Sequence, residues 1–146
     1  MTRAAATEAC VFCDIVRGHA PASVVWEDEL SFAAVDLRQF HPGHILIMPR
    51  RHINDVRDLD HETGASVMAL VSRVARAVSL AFPSQGLSLW HSIGEAADQE
   101  VPHMHIHVHP RYHGDGLLRI YPSTVPVPDR ATLDHYAALL RAHLAP

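Results

Sequence analysis

Cysteine is scarce in this chain: Cys10 and Cys13 are the only two in 146 residues. In a reducing compartment such a pair is a poor candidate for a structural disulfide. Basic residues do not cluster. The formal net charge is -4 with histidine neutral, so the basic stripe of a nucleic-acid-binding surface is missing and no nucleic-acid partner is expected. Long apolar runs are missing too. No stretch approaches the length of a membrane span, and the most apolar region is cut by Arg73 and Arg76. The opening "MTRAAATEAC" has one arginine and lacks the apolar core of a signal sequence. Internal repeats, linkers and low-complexity segments are absent. The expectation is a soluble cytoplasmic protein that makes no membrane contact. With 48% hydrophobic and 19% charged residues, the chain is long enough for one compact domain with a real core.

What the chain has in excess is histidine, 13 in all. Four of them alternate in "VPHMHIHVHP", residues 101–110: His103, His105, His107 and His109. Read as a strand over 103–109, the segment sends successive side chains to opposite faces. All four imidazoles then share one face at steps of about 6.5–7 Å. Met104, Ile106 and Val108 share the other, which faces a core.

The rest of the pattern is mixed. "CVFCDIVRG" reads as a short helix stopped by Gly18. "SVVWEDE" and "LSFAAVDL" read as two strands joined by a tight turn. Pro42-Gly43 punctuates a loop, and "HILIMPR" (44–50) is a buried strand. Residues 61–82 form the clearest helix, with Val67, Leu70, Val71, Val74, Val78 and Ala81 on one face. "GLSLWHS" (86–92) is a strand and "IGEAADQEVP" a polar loop. After the extended "YPSTVPVPD", a last helix starts near Asp129 and turns Leu133, Tyr136, Ala137, Leu140 and Leu144 inward. Strands outnumber helices and short links dominate the first half. The fold class is therefore α+β with an antiparallel sheet.

Three uses of the histidine strand compete. A solvated face with chance histidines fits poorly beside an apolar opposite face. Two histidines at i, i+2 can grip a zinc ion with ligands from elsewhere. Alternatively the imidazole itself is the catalyst. Its ordinary pKa lies near ambient pH, so it serves as a neutral nucleophile toward phosphorus. Neighbouring imidazoles resist joint protonation, and a protonated one can stabilise charge or protonate a leaving oxygen.

At this point the residues carry a family likeness. "HMHIHVHPR" resembles the His-φ-His-φ-His-φ-φ signature of the histidine triad (HIT) superfamily, φ being apolar. "GEAADQEVPHMHIHVHPR" resembles that family's glycine-containing loop and Gln-x-Val-x-His approach. "FAAVDLRQFHPGHILIMPRRHI" resembles its Asp, loop, Pro-Gly-His and apolar strand ending in proline before a basic pair and His-Ile. "CVFCDIVRG" with "VVWEDE" resembles its N-terminal block. The resemblance implies a HIT-like fold: an antiparallel sheet of about five strands, a long central helix and a C-terminal helix. It implies a tail at residues 1–9, a core at 10–113, and an extension with a helix at 114–146 that is part of the same domain.

The resemblance also implies roles. Enzymes of this family split a phosphoanhydride or phosphoramidate at the α-phosphorus of a nucleotide, through a covalent nucleotidyl-histidine that water resolves. The nucleophile is then His105. His107 lies near the scissile oxygen, and His103 is a structural or metal position. Asp36 binds the ribose hydroxyls, as a two-oxygen acceptor suits a vicinal diol; the plain alternative is a strand-end residue bonding its own turn. Gln99 contacts phosphate oxygens or the leaving side, and Gly94 frees backbone N–H groups for phosphate. Ser92 stands where many relatives have Asn. Leu37, Phe40 and Ile15 are candidate walls for a purine base, and His44 takes a supporting or dimer-side role. His109 departs from the pattern, and its plain reading is a solvent contact beside Pro110. Arg111 and His113 are weak candidates for a polyphosphate tail.

Alone, Cys10-Val-Phe-Cys13 is too sparse for a zinc site and lacks the surroundings of a redox pair. The resemblance implies that Cys10, Cys13, His52 and His103 form a closed, structural zinc site, with no cofactor for catalysis and a homodimeric assembly. The leading function is hydrolysis of a dinucleoside polyphosphate or similar conjugate. A phosphoramidase, a nucleotidyl transferase, a non-catalytic nucleotide-binding module and a metal-dependent hydrolase using His105 and His107 remain alternatives.

Overall fold

The computed structural model describes residues 9–144. The expected tail at 1–9 therefore lies, but for its last residue, outside the described residues. The elements are α1 (Val11–Val16), β1 (Val24–Glu27), β2 (Ser31–Val35), β3 (Ile45–Pro49), α2 (His61–Ala81), β4 (Gly86–Trp90), β5 (Ile106–Arg111) and α3 (Arg130–Leu144). The strands make one antiparallel sheet in the order β1-β2-β3-β5-β4. The chain divides between Asp115 and Gly116 into two compact units.

Local chemistry explains where the elements begin and end. Cys10 caps α1, its Sγ accepting from the Cys13 N–H at 3.4 Å. Asp28 closes the β1–β2 turn by accepting from the N–H groups of Leu30 and Ser31 and from the Ser31 hydroxyl. Asp60 caps α2 by accepting from the Thr63 N–H at 2.9 Å, as N-cap carboxylates do.

The sheet uses both faces. Period-2 alternation along β3 sends Ile45 and Ile47 to one side and Leu46 and Met48 to the other. On the first side Val67, Leu70, Val71, Val74 and Val78 of α2 pack against Ala33, Ile45, Ile47, Met104 and Val108. Each fully buried Val or Leu contributes about 1.5–3 kcal/mol. On the second side α1 brings Phe12, Cys10 and Cys13 onto Phe32, Ala34, Leu46 and Met48. By length and composition alone α2 passes for a membrane span, contrary to the sequence expectation. Its apolar stripe is spent on the sheet.

Three expectations need correction. The histidine strand starts at Ile106, not at 103. Residues 103–105 are bent out of the ladder: the His103 N–H bonds to the Val101 carbonyl and the Met104 N–H to that of Ile53. Ala81, placed on the inner face of α2, is exposed where the helix ends at Phe82. In the second unit α3 begins at Arg130 as its capping Asp129 requires. Its proposed inner face is largely open, however, with Tyr136, Leu140 and Leu144 exposed and Leu133 and Ala137 half-buried. An amphipathic pattern shows which side of a helix is apolar, not that something covers it.

One turn is sterically closed to other residues. Gly43 has φ +107°, and a Cβ there would lie 2.8 Å from Phe82 Cδ2 and 3.1 Å from Pro110 Cγ. Gly43→Ala is expected to destabilise the protein by about 1–3 kcal/mol, read as a lower urea midpoint at unchanged slope.

Candidate active site

The bend at 103–105 divides the histidines between two neighbourhoods. His103 is fully buried, and its Nε2–H donates to the Pro49 carbonyl at 2.9 Å. Its Nδ1 therefore carries the lone pair, and it lies 3.5 Å from Cys10 Sγ and 3.6 Å from Cys13 Sγ. His52 Nδ1 lies 3.3 Å from Cys13 Sγ. The four donor atoms fall within 4.8 Å of one another. For two thiolates and two imidazoles at ordinary zinc distances, tetrahedral geometry requires edges of about 3.3–3.8 Å, so the donor set and its spacing fit zinc. With the thiols protonated, burial and the adjacent Cys10 push Cys13 up to about 11.

His105 is the hinge between the neighbourhoods. Its Nδ1–H donates to the His103 carbonyl at 2.6 Å. A neutral His105 therefore has a bare Nε2. Burial, opposed by that hydrogen bond, holds its pKa below the ordinary imidazole value. Phe12, the third residue of the Cys-x-x-Cys, sets its ring edge-on to both His103 and His105, at centroid distances of 5.9 and 5.0 Å. His91 Nδ1–H donates to the His105 carbonyl at 3.1 Å, and His91 Nε2 accepts from the Val56 N–H. The nucleophile candidate is thus fixed at its ring, by the His103 carbonyl, and at its own carbonyl, by His91.

His107 lies in β5 opposite Leu46 and Trp90. Trp90 stacks on it at 4.3 Å and 7°. His44 donates Nδ1–H to the Arg38 carbonyl at 2.9 Å, while its Nε2 faces His107 Nδ1 at 2.9 Å and Asp36 Oδ2 at 3.6 Å. The carbonyl fixes the tautomer of His44. A neutral His44 must then accept from His107 Nδ1–H, leaving His107 Nε2 bare. Adding one proton reverses the polarity: His44, charged beside Asp36, donates to His107, and His107 Nε2 becomes a donor. Burial, then the charges of His105 and His44, depress His107 to about 3.

The structure redistributes several expected roles. Asp36 is buried, with one oxygen taken by the Arg38 N–H at 2.8 Å and the other turned to His44. It therefore serves its own turn and the His44–His107 pair. Gln99 braces the loop: its Oε1 accepts from the Gly94 N–H and its Nε2 donates to the Asn54 carbonyl. The Gly94 N–H is thus engaged within the loop, although Gly94 does adopt φ +81°. Ser92 is half-buried just past β4. Leu37 is 98% exposed and Phe40 is exposed; Ile15 is half-buried against α1's core. His109 does not meet solvent. It is 1% exposed, packed among His44, His41 and Trp90, and donates Nδ1–H to the Pro110 carbonyl. Arg111 is closed onto Asp115 and Ser88, while His113 is exposed.

Trp90, His91 and Phe12 escaped the sequence reading as site residues. Only the general excess of histidine pointed toward His91.

A family model described as the HIT domain matches residues 17–114. The chain belongs to the HIT family. It is 39% identical over 115 residues to the protein named hit of Bacillus subtilis, covering 78% of this chain and 79% of that one. It is 31% identical over 102 residues to adenosine 5'-monophosphoramidase hnt1 of Schizosaccharomyces pombe, covering 70% and 74%. A crystal structure of a HIT family member from Bacillus subtilis superposes with TM-score 0.88 at 32% identity, over 95% of this chain and 99% of that one. The HIT fold is thereby shown for this chain, an α+β fold with a five-stranded antiparallel sheet.

A histidine buried neutral weakens the fold in acid. The unfolded His107 binds its proton near the ordinary 6.5 and the folded one only near 3. The unfolded state therefore holds more protons between these values, and stability falls as pH drops through that window. The contribution is on the order of 3 kcal/mol. Expected outcome: urea midpoints of wild type fall between pH 6.5 and 4 more steeply than those of His107→Gln.

Proposed function

We propose that this HIT protein hydrolyses nucleotide conjugates at the α-phosphorus, with His105 as nucleophile. The observation that carries the reading is the 2.6 Å hydrogen bond from His105 Nδ1 to the His103 carbonyl. It places the lone pair of a neutral imidazole on Nε2, the ring's outer nitrogen. Nε2 attacks phosphorus, the N–P bond forms, and the P–O or P–N bond to the leaving group breaks with its electron pair. Water then attacks phosphorus, the N–P bond breaks, and a nucleoside monophosphate leaves.

Each half of that sequence needs the opposite proton service, and the His44–His107 pair supplies both. Protonated, it donates from His107 Nε2 to the leaving atom; neutral again, it accepts a proton from the attacking water. Asp36 Oδ2 lies 3.6 Å from His44 Nε2, the atom that carries the shared proton of the pair. Capture of the same intermediate by another nucleophile would make the protein a nucleotidyl transferase. The phosphoramidase named for hnt1 supports the nucleotide class. A metal-dependent reaction has less support, because His105 belongs to neither metal-capable cluster among the described residues.

We further propose that Cys10, Cys13, His52 and His103 hold a structural zinc. Bound zinc would cross-link α1 to the segment before β5 and take no part in the reaction. The assembly we propose is a homodimer. The support is an open sheet edge at β4 with Leu89 exposed and, beside it, exposed Leu80 and Phe82 at the end of α2. The partner we propose is a purine nucleotide or nucleotide-conjugate substrate.

The test is intact-protein mass after mixing with a dinucleoside polyphosphate or a nucleoside phosphoramidate and quenching in base, with turnover followed in parallel. A gain of one nucleoside monophosphate in wild type, and none in His105→Ala, is expected. Undiminished turnover by His105→Ala would refute the nucleophile. Elemental analysis is expected to find about one zinc per chain, lost in Cys13→Ser together with several degrees of thermal stability.

A further inference from the structure

One exposed guanidinium stands beside this site, its backbone fixed and its side chain paired at the surface with Glu100 and, at 3.8 Å, near Asp36. Arg38 follows Asp36 by two residues. Its N–H donates to Asp36 Oδ1 at 2.8 Å and its carbonyl accepts from His44 Nδ1 at 2.9 Å. The Arg38 backbone is thus tied to the two residues that hold His107. The side chain is 69% exposed and pairs with Glu100, 66% exposed, at 3.0 Å. Glu100 belongs to the loop that leads into His103 and His105. The pair therefore links the loop after β2 to the loop before β5, beside the reacting histidines. Its positive charge is among those bearing on both His105 and His107.

We propose that Arg38 is a specificity residue that recognises anionic groups beyond the α-phosphate. Glu100 holds its guanidinium in the free protein and gives it up to the substrate. The proposal rests on the reading of the site as a nucleotide hydrolase and names the substrate class within it.

The chemistry favours the exchange. An exposed, solvent-screened ion pair is marginal, whereas arginine meets a phosphate with two parallel, charge-assisted hydrogen bonds. The site has use for a further cation: its nucleophile is a neutral imidazole, and the His44–His107 pair gives its proton up to the leaving atom. Arg111, at the end of β5, has its fork filled by Asp115. A polyphosphate leaving group departs as a polyanion even after its leaving oxygen takes the proton, so Arg38 stabilises that departure. An amine leaving from a phosphoramidate takes a proton and departs neutral, and gains little from Arg38.

The experiment measures kcat/KM for a dinucleoside tetraphosphate and for a nucleoside phosphoramidate with an uncharged amine. It uses wild type, Arg38→Gln, Arg38→Lys and Glu100→Gln at low and high salt. The ratio of the two constants is the readout, since a general structural defect lowers both alike. Arg38→Gln is expected to lower the ratio about tenfold. Arg38→Lys should lower it less and Glu100→Gln should raise it. In wild type the ratio should fall with added salt. A direct check titrates inorganic tripolyphosphate into His105→Ala and into His105→Ala/Arg38→Gln, and the second is expected to bind about tenfold more weakly. Equal ratios in all four proteins, or equal tripolyphosphate affinities, overturn the role of Arg38 and leave the hydrolase reading standing. So does wild type that turns over the phosphoramidate alone. Wild type that turns over neither substrate overturns both.

Discussion

The hydrogen bond between the His105 ring and the His103 carbonyl is the constraint on which the site depends. It needs the backbone to leave the ladder for three residues, and that departure separates the histidines. The His103 ring turns to the thiols and the Pro49 carbonyl, while its own carbonyl turns to His105. One residue thereby serves two neighbourhoods. Phe12 spans the same gap from α1, touching both rings. What holds the N-terminal helix to the sheet therefore also holds the orientation of the His105 imidazole.

The sheet explains how so many imidazoles can be buried at all. On the α2 side the strands present aliphatic side chains, and the core there is ordinary. On the other side His44, His107 and His109 occupy positions that elsewhere would be aliphatic. Each bears at least one nitrogen bonded to a fixed partner, either a carbonyl or another imidazole. Trp90 closes the stack from β4. His109 Nε2 is the exception, buried without a hydrogen-bond partner. Burial holds His107 and His109 below the ordinary imidazole pKa.

Much of this was legible in the sequence. Period-2 and period-3.6 patterns located β2, β3, β4 and α2 because those elements bury one clear set of side chains. The triad string, the Pro-Gly-His segment and the Cys-x-x-Cys identified most residues that the fold gathers. What misled was alternation read as an unbroken strand: spacing cannot show that residues 103–105 trade ladder hydrogen bonds for contacts with Val101 and Ile53. Roles that depend on which hydrogen bonds are already occupied were equally hidden. Gln99 and Arg111 look available in one dimension and are engaged in three. His109 reads as a strand-end residue beside a proline and is among the most buried side chains. Trp90 and His91 act across the sheet and loop, where no local motif marks them.

The stacking of Trp90 on His107 has a consequence for how protons travel. One face of the imidazole is covered by indole at 4.3 Å and 7°, and Nδ1 is joined to His44. Nε2 is then the atom through which the pair exchanges protons with whatever occupies the site. His44 behind it is anchored through Nδ1 to the Arg38 carbonyl. The arrangement is a short wire with a single terminal, at His107 Nε2.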